Sequence, residues 1–334
     1  MYVMKRLKDR WRRHANWYRR HVVKRPTRAL LEPTNSCNLN CPFCLVGQQN
    51  KLLPMYGNAA HHLQSRPMGM LSETTFDRTR QQLKAFGIRD VLFYFQGEPL
   101  LHREFVRFAS VLKRDGFWVG MFTNGLPFTD RNMRPLIATD IDLIRFSVDG
   151  ATQETYGVNR VGGRFDRVYD NMRELTAAAR GTRTRVEWQF IALRNNEHEI
   201  PMAERMARDI GINFVIKGYR VTDPKLAPEN PRYHSPLLEK PCTDIYLQLV
   251  ICWNGDVVPC CYDIEGEEVM GNINDESLSR IWNSPKYRDF RRRVDESRIH
   301  PEREPEICKN CLRWGSATHA GAEAAIQVDQ HSTV

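Results

Sequence analysis

The chain has 334 residues, a formal net charge of +9 and nine cysteines, and no run of it approaches the roughly 20 apolar residues that cross a bilayer. Residues 1–28 hold no apolar h-region, so no secretory signal is expected, and nine cysteines without export argue against a disulfide framework. Metal-binding or reactive thiols in a reducing, cytoplasmic setting are expected, in one large domain with a small companion. Residues 1–28 concentrate the charge, with eleven Lys or Arg against one Asp, so the rest of the chain is near neutral and nucleic acid is not an expected partner. Within that segment Met4, Leu7, Trp11, Tyr18 and Val22 recur at helical spacing, which predicts an amphipathic helix with one basic face. Docking on the body is its expected role, with an anionic membrane surface or an acidic partner as the alternatives.

Residues 29–34 begin with the apolar run Ala29-Leu30-Leu31 and read as a short buried strand. The loop leaving it carries Cys37, Cys41 and Cys44 at C-x3-C-x2-C spacing. Three thiolates so close can hold three corners of a cubane iron–sulfur cluster, which otherwise takes four cysteines, and the fourth iron stays open to a non-protein ligand. A zinc knuckle would need a fourth Cys or His, and the nearest, His61 and His62, lie far along the chain. With an aromatic at Phe43, the spacing resembles the radical S-adenosylmethionine (SAM) enzymes. That resemblance implies a [4Fe–4S] cluster whose open iron is chelated by SAM. It also implies reductive cleavage of SAM to a 5′-deoxyadenosyl radical and an external electron donor such as flavodoxin or ferredoxin.

Residues 45–71 read as a long polar connection without periodicity, a candidate lid or substrate-contacting segment. Ser72 then caps a helix with Phe76, Leu83 and Phe86 on one face. Strands follow over 91–95, 117–122, 143–148, 186–193 and 213–217, interleaved with helices over 103–114, from 131, over 165–180 and over 200–210. Six alternating units predict a parallel sheet of α/β class and fit a partial (β/α)6 barrel, which is also the fold the resemblance implies. Chemistry in such barrels sits at the C-terminal strand ends. Gln96-Gly97-Glu98-Pro99, Thr123-Asn124-Gly125 and Ser147-Val148-Asp149-Gly150 all fall there. By the resemblance, Gly97 and Glu98 meet the SAM amino group, although Gln96 stands where the family has a first glycine. Asn124 and Ser147 lie in turns like those contacting SAM ribose and methionine, and Arg160 lies where relatives bind the SAM carboxylate. Gln189 and Asn195 are further candidates to face the site.

The radical SAM core is thus expected over 29–220, with a proline-rich linker at 221–241. A second cysteine group follows at Cys242, Cys252, Cys260, Cys261, Cys308 and Cys311, with Asn254-Gly255 between two apolar runs as a hairpin signal. The run from Gly255 to Cys260, Gly271-Asn272-Ile273, Ile281-Trp282-Asn283 and the terminal C-x2-C resemble the SPASM/twitch extension of radical SAM enzymes. The resemblance implies one auxiliary [4Fe–4S] cluster held by Cys242, Cys260, Cys308 and Cys311 over 242–315, a four-cysteine zinc site being the alternative. A two-residue turn would pair Cys252 with Val257 and leave Cys252 and Cys261 on one face. They are expected as small core residues, with hydrogen donation to a substrate radical as their second role. The tail, 316–334, is polar and expected to be mobile.

The implied function is hydrogen-atom abstraction, with two-electron oxidation of a sugar- or aminocyclitol-type small molecule as first expectation. An epimerase with a cysteine hydrogen donor, or a maturase of a ribosomally made peptide, is the alternative reaction. A zinc-binding, nucleic-acid-associated protein is the reading from another class.

Overall fold

A computed structural model describes residues 25–56, 66–218, 224–234, 242–297, 299–309 and 311. Most of the expected N-terminal helix, both ends of the linker, His61, His62 and the C-terminal tail lie outside the described residues.

Six parallel strands form the barrel sheet: β1 (Arg28–Leu31), β2 (Asp90–Phe93), β3 (Trp118–Thr123), β4 (Leu143–Ser147), β5 (Arg185–Ile191) and β6 (Asn213–Lys217). Each pairs with its successor in sequence. Strand alternation sorts their side chains. Ala29, Leu31, Val91 and Phe93 point outward into the large core beneath the helices, while Leu30 and Leu92 point into the barrel. The outer layer comprises α2 (Glu73–Phe86), α3 (Phe105–Arg114), α4 (Asp130–Ile137), α6 (Phe165–Ala178) and α7 (Ile200–Ile210), with the short α5 (Gln153–Asn159) unanticipated. Ser72 accepts a hydrogen bond from Thr75 N, as its capping role requires, and Phe76 stacks on Phe108 at 4.0 Å between centroids. Among the described residues no helix is long and apolar enough to cross a membrane.

Two expectations are corrected. Residues 45–56 are not an unstructured connection but helix α1 (Leu45–Tyr56). Its first turns are anchored by polar groups and backbone beside the buried Val46. Gln48 Nε2 donates to Pro42 O at 2.7 Å, Asn50 Nδ2 donates to Cys37 O and Leu39 O, and Gly47 lies against the Cys41 main chain.

The second correction concerns the hairpin of β7 (Gln248–Ile251) and β8 (Asp256–Val258). Its register pairs Ile251 with Val257, and Cys252 N donates to Asp256 O, so Cys252 stands opposite Asp256 rather than Val257. The turn has three residues, with Gly255 at φ +91° supplying the left-handed position such a turn requires. Cys252 and Cys261 still pack in one apolar cluster, by a different route. Strand β8 ends at Val258, and the chain turns before Cys260, which breaks strict alternation.

The hairpin does not stand apart from the barrel. Strand β7 pairs parallel with β1, and β9 (Gly271–Asn272) extends the hairpin, giving one nine-stranded sheet in the order β6-β5-β4-β3-β2-β1-β7-β8-β9. Helices α8 (Asp244–Leu247), α9 (Leu278–Trp282), α10 (Pro285–Glu296) and α11 (Glu306–Lys309) complete this end.

Candidate active site

A cavity of about 490 Å³ opens at the C-terminal ends of the barrel strands. It is lined by Cys37, Cys41, Cys44, Phe43, Gly97, Glu98, Asn124, Ser147 and Arg160, every core site residue expected from the sequence. Gln189 lines it as well, whereas Asn195 does not and donates to Asn159 Oδ1 instead.

The three thiols sit on the loop between β1 and α1, where Cys44 N donates to Cys41 O at 3.2 Å. Burial, followed by the nearby Glu98 charge, pushes Cys37 up to about 12, and burial likewise raises Cys41. Such thiols stay protonated and inert at neutral pH unless a metal replaces the proton. Two polar groups already aim at these sulfurs: Asn124 Nδ2 lies 3.7 Å from Cys37 Sγ, and Arg160 Nη1 lies 3.9 Å from Cys41 Sγ. Arg160 is fixed by buried Asp149, whose Oδ2 accepts from Nε at 2.8 Å and Nη2 at 2.6 Å, while Asp149 Oδ1 accepts from Ile191 N. Its guanidinium also lies 5.4 Å over the Phe43 ring.

Glu98 is buried and ties three segments together. Its Oε1 accepts from Leu100 N and Thr123 Oγ1, and its Oε2 accepts from Asn124 N at 2.7 Å. Burial raises its pKa to about 7, against the pull of those donors. Gly97 has φ +74°, and a Cβ there would come within 2.3 Å of Thr34 O and 2.7 Å of Ser36 O. Gln96 is not among the positive-φ residues, so a side chain in place of the family's first glycine meets no backbone penalty. The side-chain acceptors Gln96 Oε1 and Gln189 Oε1 are buried without a hydrogen-bond partner. A buried, unpaired acceptor costs about 1–3 kcal/mol, which a bound group with a donor would recover.

The inner wall of the cavity was missed from sequence: Tyr94, Phe122, Ile191, Lys217, Tyr262 and Ile264. Strand alternation was the available signal, since Tyr94, Phe122 and Lys217 continue the inward parity of Leu92 and Gly120 or lie at a strand end. In the second cysteine group, Cys242, Cys308 and Cys311 belong to the outer core. Cys260 hydrogen-bonds Cys261 and lies within electrostatic reach of Cys242, whereas Cys261 itself lines the cavity. Cys252 is fully buried and does not line it. Among the described residues no three Cys, His, Asp or Glu side chains close on one point as ligands of a single ion do, with metal–sulfur distances of about 2.3 Å.

Residues 31–186 match the model of the radical SAM superfamily, and residues 242–312 match that of an iron–sulfur cluster-binding domain, SPASM. A tungsten-containing aldehyde ferredoxin oxidoreductase cofactor-modifying protein of Pyrococcus furiosus is 22% identical over 309 residues, covering 78% of this chain and 82% of that protein. An S-adenosyl-L-methionine-dependent 2-deoxy-scyllo-inosamine dehydrogenase of Niallia circulans is 37% identical over 57 residues, 17% of this chain and 22% of that protein. Streptococcus suis SuiB bound to S-adenosylmethionine superposes with a TM-score of 0.65 at 16% identity, covering 84% of this chain and 71% of SuiB, a likeness of fold.

Proposed function

Since the chain belongs to the radical SAM superfamily and carries a SPASM iron–sulfur domain, and is thus an enzyme that uses SAM and [4Fe–4S] clusters, we propose that it oxidises a small polar molecule by two electrons. When bound, SAM and the first cluster supply a 5′-deoxyadenosyl radical that takes a hydrogen atom from carbon, and an auxiliary cluster supplies a sink for the electron left behind.

The chain's own residues do the rest. Cys37, Cys41 and Cys44 hold the first cluster, with Asn124 and Arg160 donating toward two of the sulfurs. Glu98 keeps the Asn124 backbone in place, and with Gly97 and Ser147 it lines the space for SAM. Gln96, Tyr94, Phe122 and Lys217 form the wall that orients the substrate and excludes water. Cys242, Cys260, Cys308 and Cys311 hold the auxiliary cluster. The reducing electron comes from an external donor such as flavodoxin or ferredoxin.

The observation that carries oxidation is the position of the loop after β8. Cys261, Tyr262 and Ile264 form part of the cavity wall, so the neighbouring Cys260 lies one residue from the substrate space. The Niallia circulans relative, named as a dehydrogenase, supports the same direction. A second reading, epimerisation, is favoured by the same residue, because a Cys261 thiol on the cavity wall can return a hydrogen atom to a carbon radical.

Product mass separates the two: two mass units below substrate for oxidation, unchanged mass with inverted stereochemistry for epimerisation. The cluster assignment has its own test. Anaerobically purified protein should hold about eight irons with matching sulfide, the sum of two four-iron clusters. Cys41→Ala should drop SAM cleavage to background, and normal 5′-deoxyadenosine formation by that variant would overturn the assignment.

A further inference from the structure

Residues 66–71 run antiparallel to the chain leaving β1, bridged at Thr34 and Met70, and are held there by side chains. Thr34 Oγ1 donates to Gly69 O at 2.7 Å, and Asn35 both donates to Pro67 O and accepts from Gly69 N. At the head of this strap lies Arg66. Its guanidinium forms a two-pronged pair with Glu32, donates to Ile264 O at 3.4 Å and lies 5.3 Å over the Phe95 ring. Glu32 is fully buried and gathers two backbone donors besides, Trp253 N at 3.1 Å and the amide of Gln96.

One ion pair therefore joins the exits of β1 and β2, the turn of the β7–β8 hairpin and the loop after Cys261. A buried pair of this kind adds little net stability over an apolar pair of equal size. What it adds is geometry: charge-assisted forks fix distance and angle. Three of its contacts, Phe95, Gln96 and Ile264, line the cavity, whereas Arg66 and Glu32 do not.

We infer that Arg66, acting through Glu32, Gln96 and Ile264, is a positioning residue that sets the substrate wall of the cavity without touching the SAM site. That the wall faces a substrate rests on the function proposed above.

The test compares wild-type holoenzyme with Arg66→Lys and with the double variant Arg66→Met/Glu32→Met, which removes both charges and leaves no buried carboxylate unpaired. Amide exchange is followed by peptide mass spectrometry with and without SAM, alongside iron content and equilibrium SAM binding. In the double variant, segments 94–96 and 261–266 should exchange at least about tenfold faster, the loss of one charged hydrogen-bond set. SAM affinity should stay within about twofold, since neither Arg66 nor Glu32 lines the cavity or bonds Gly97, Glu98 or Ser147. Arg66→Lys, which keeps the charge but not the fork, should fall between. Unchanged exchange in both segments overturns the inference. So does accelerated exchange throughout the barrel, or a SAM affinity that falls as far as the wall loosens. Wild-type protein without iron or SAM binding would instead refute the proposed function, and the exchange comparison would still report on Arg66.

Discussion

At the residue scale, one backbone position shows what sequence reading can and cannot reach. The Gln-Gly-Glu-Pro turn is legible as a site, and its first residue is where the sequence departs from the family pattern. The structure moves the constraint to Gly97, whose left-handed backbone packs on two carbonyl oxygens. Which glycine of a pair carries the positive φ depends on those carbonyls, and they come from the three-cysteine loop, far away in sequence. Gly97→Ala should therefore cost more than about 1 kcal/mol, the penalty for a left-handed Ala before any clash is counted. Chemical denaturation of the variant measures that cost. Equilibrium SAM binding should fall with it, because Ser36 must move. Unaltered stability and binding would show the loop to be slack.

At the element scale, helices with an apolar stripe were read correctly and α1 was not. Its Gln48 and Asn50 place their amides on carbonyls of the cysteine loop, contacts that hydrophobic periodicity does not register. The hairpin was recognised, but its register moved by one residue because Asn-Gly can serve turns of two or three residues. A pH effect belongs to the joint between the strap and α3. His102 Nδ1 accepts from Glu104 N, so Nε2 carries the hydrogen and donates to Leu71 O at 2.8 Å. Burial lowers its pKa below 6.5, since the neutral ring is the form that fits. Above 6.5 neither folded nor unfolded chain binds this proton, and its contribution to stability is complete. As pH falls below 6.5 the unfolded chain takes up the proton first, and stability declines. Glu98 acts with the opposite sign: its raised pKa stabilises the fold below the ordinary carboxylate value and loses that contribution as pH rises toward about 7. The His102 part is isolated by difference. The drop in urea midpoint from pH 7.5 to pH 5.5 should be smaller in His102→Gln than in wild type, and equal drops would refute it.

At the scale of the whole molecule, the alternation of strands and helices told the barrel, and the proline-rich stretch reads as a linker to a small second domain. The pairing of β1 with β7 was not legible, because main-chain hydrogen bonds leave no trace in side-chain pattern. Their register, Arg28 with Gln248 through Leu31 with Ile251, makes the first strand an interior one. A chain ending at residue 241 would expose that strand's apolar edge, a template for aggregation. Such a truncation is expected to be largely insoluble, as judged by sedimentation of the anaerobic lysate. A soluble monomer with a full first cluster would show that the barrel closes without β7.

The same pairing sets a clock on biosynthesis. At roughly 5–20 residues per second, the about 220 residues separating β1 from β7 take roughly ten to forty seconds to synthesise. Throughout that interval the strand that leads into the three-cysteine loop has one open edge on a nascent chain. Slowing the ribosome after residue 218 should thus depress the yield of active enzyme more than slowing it after residue 251.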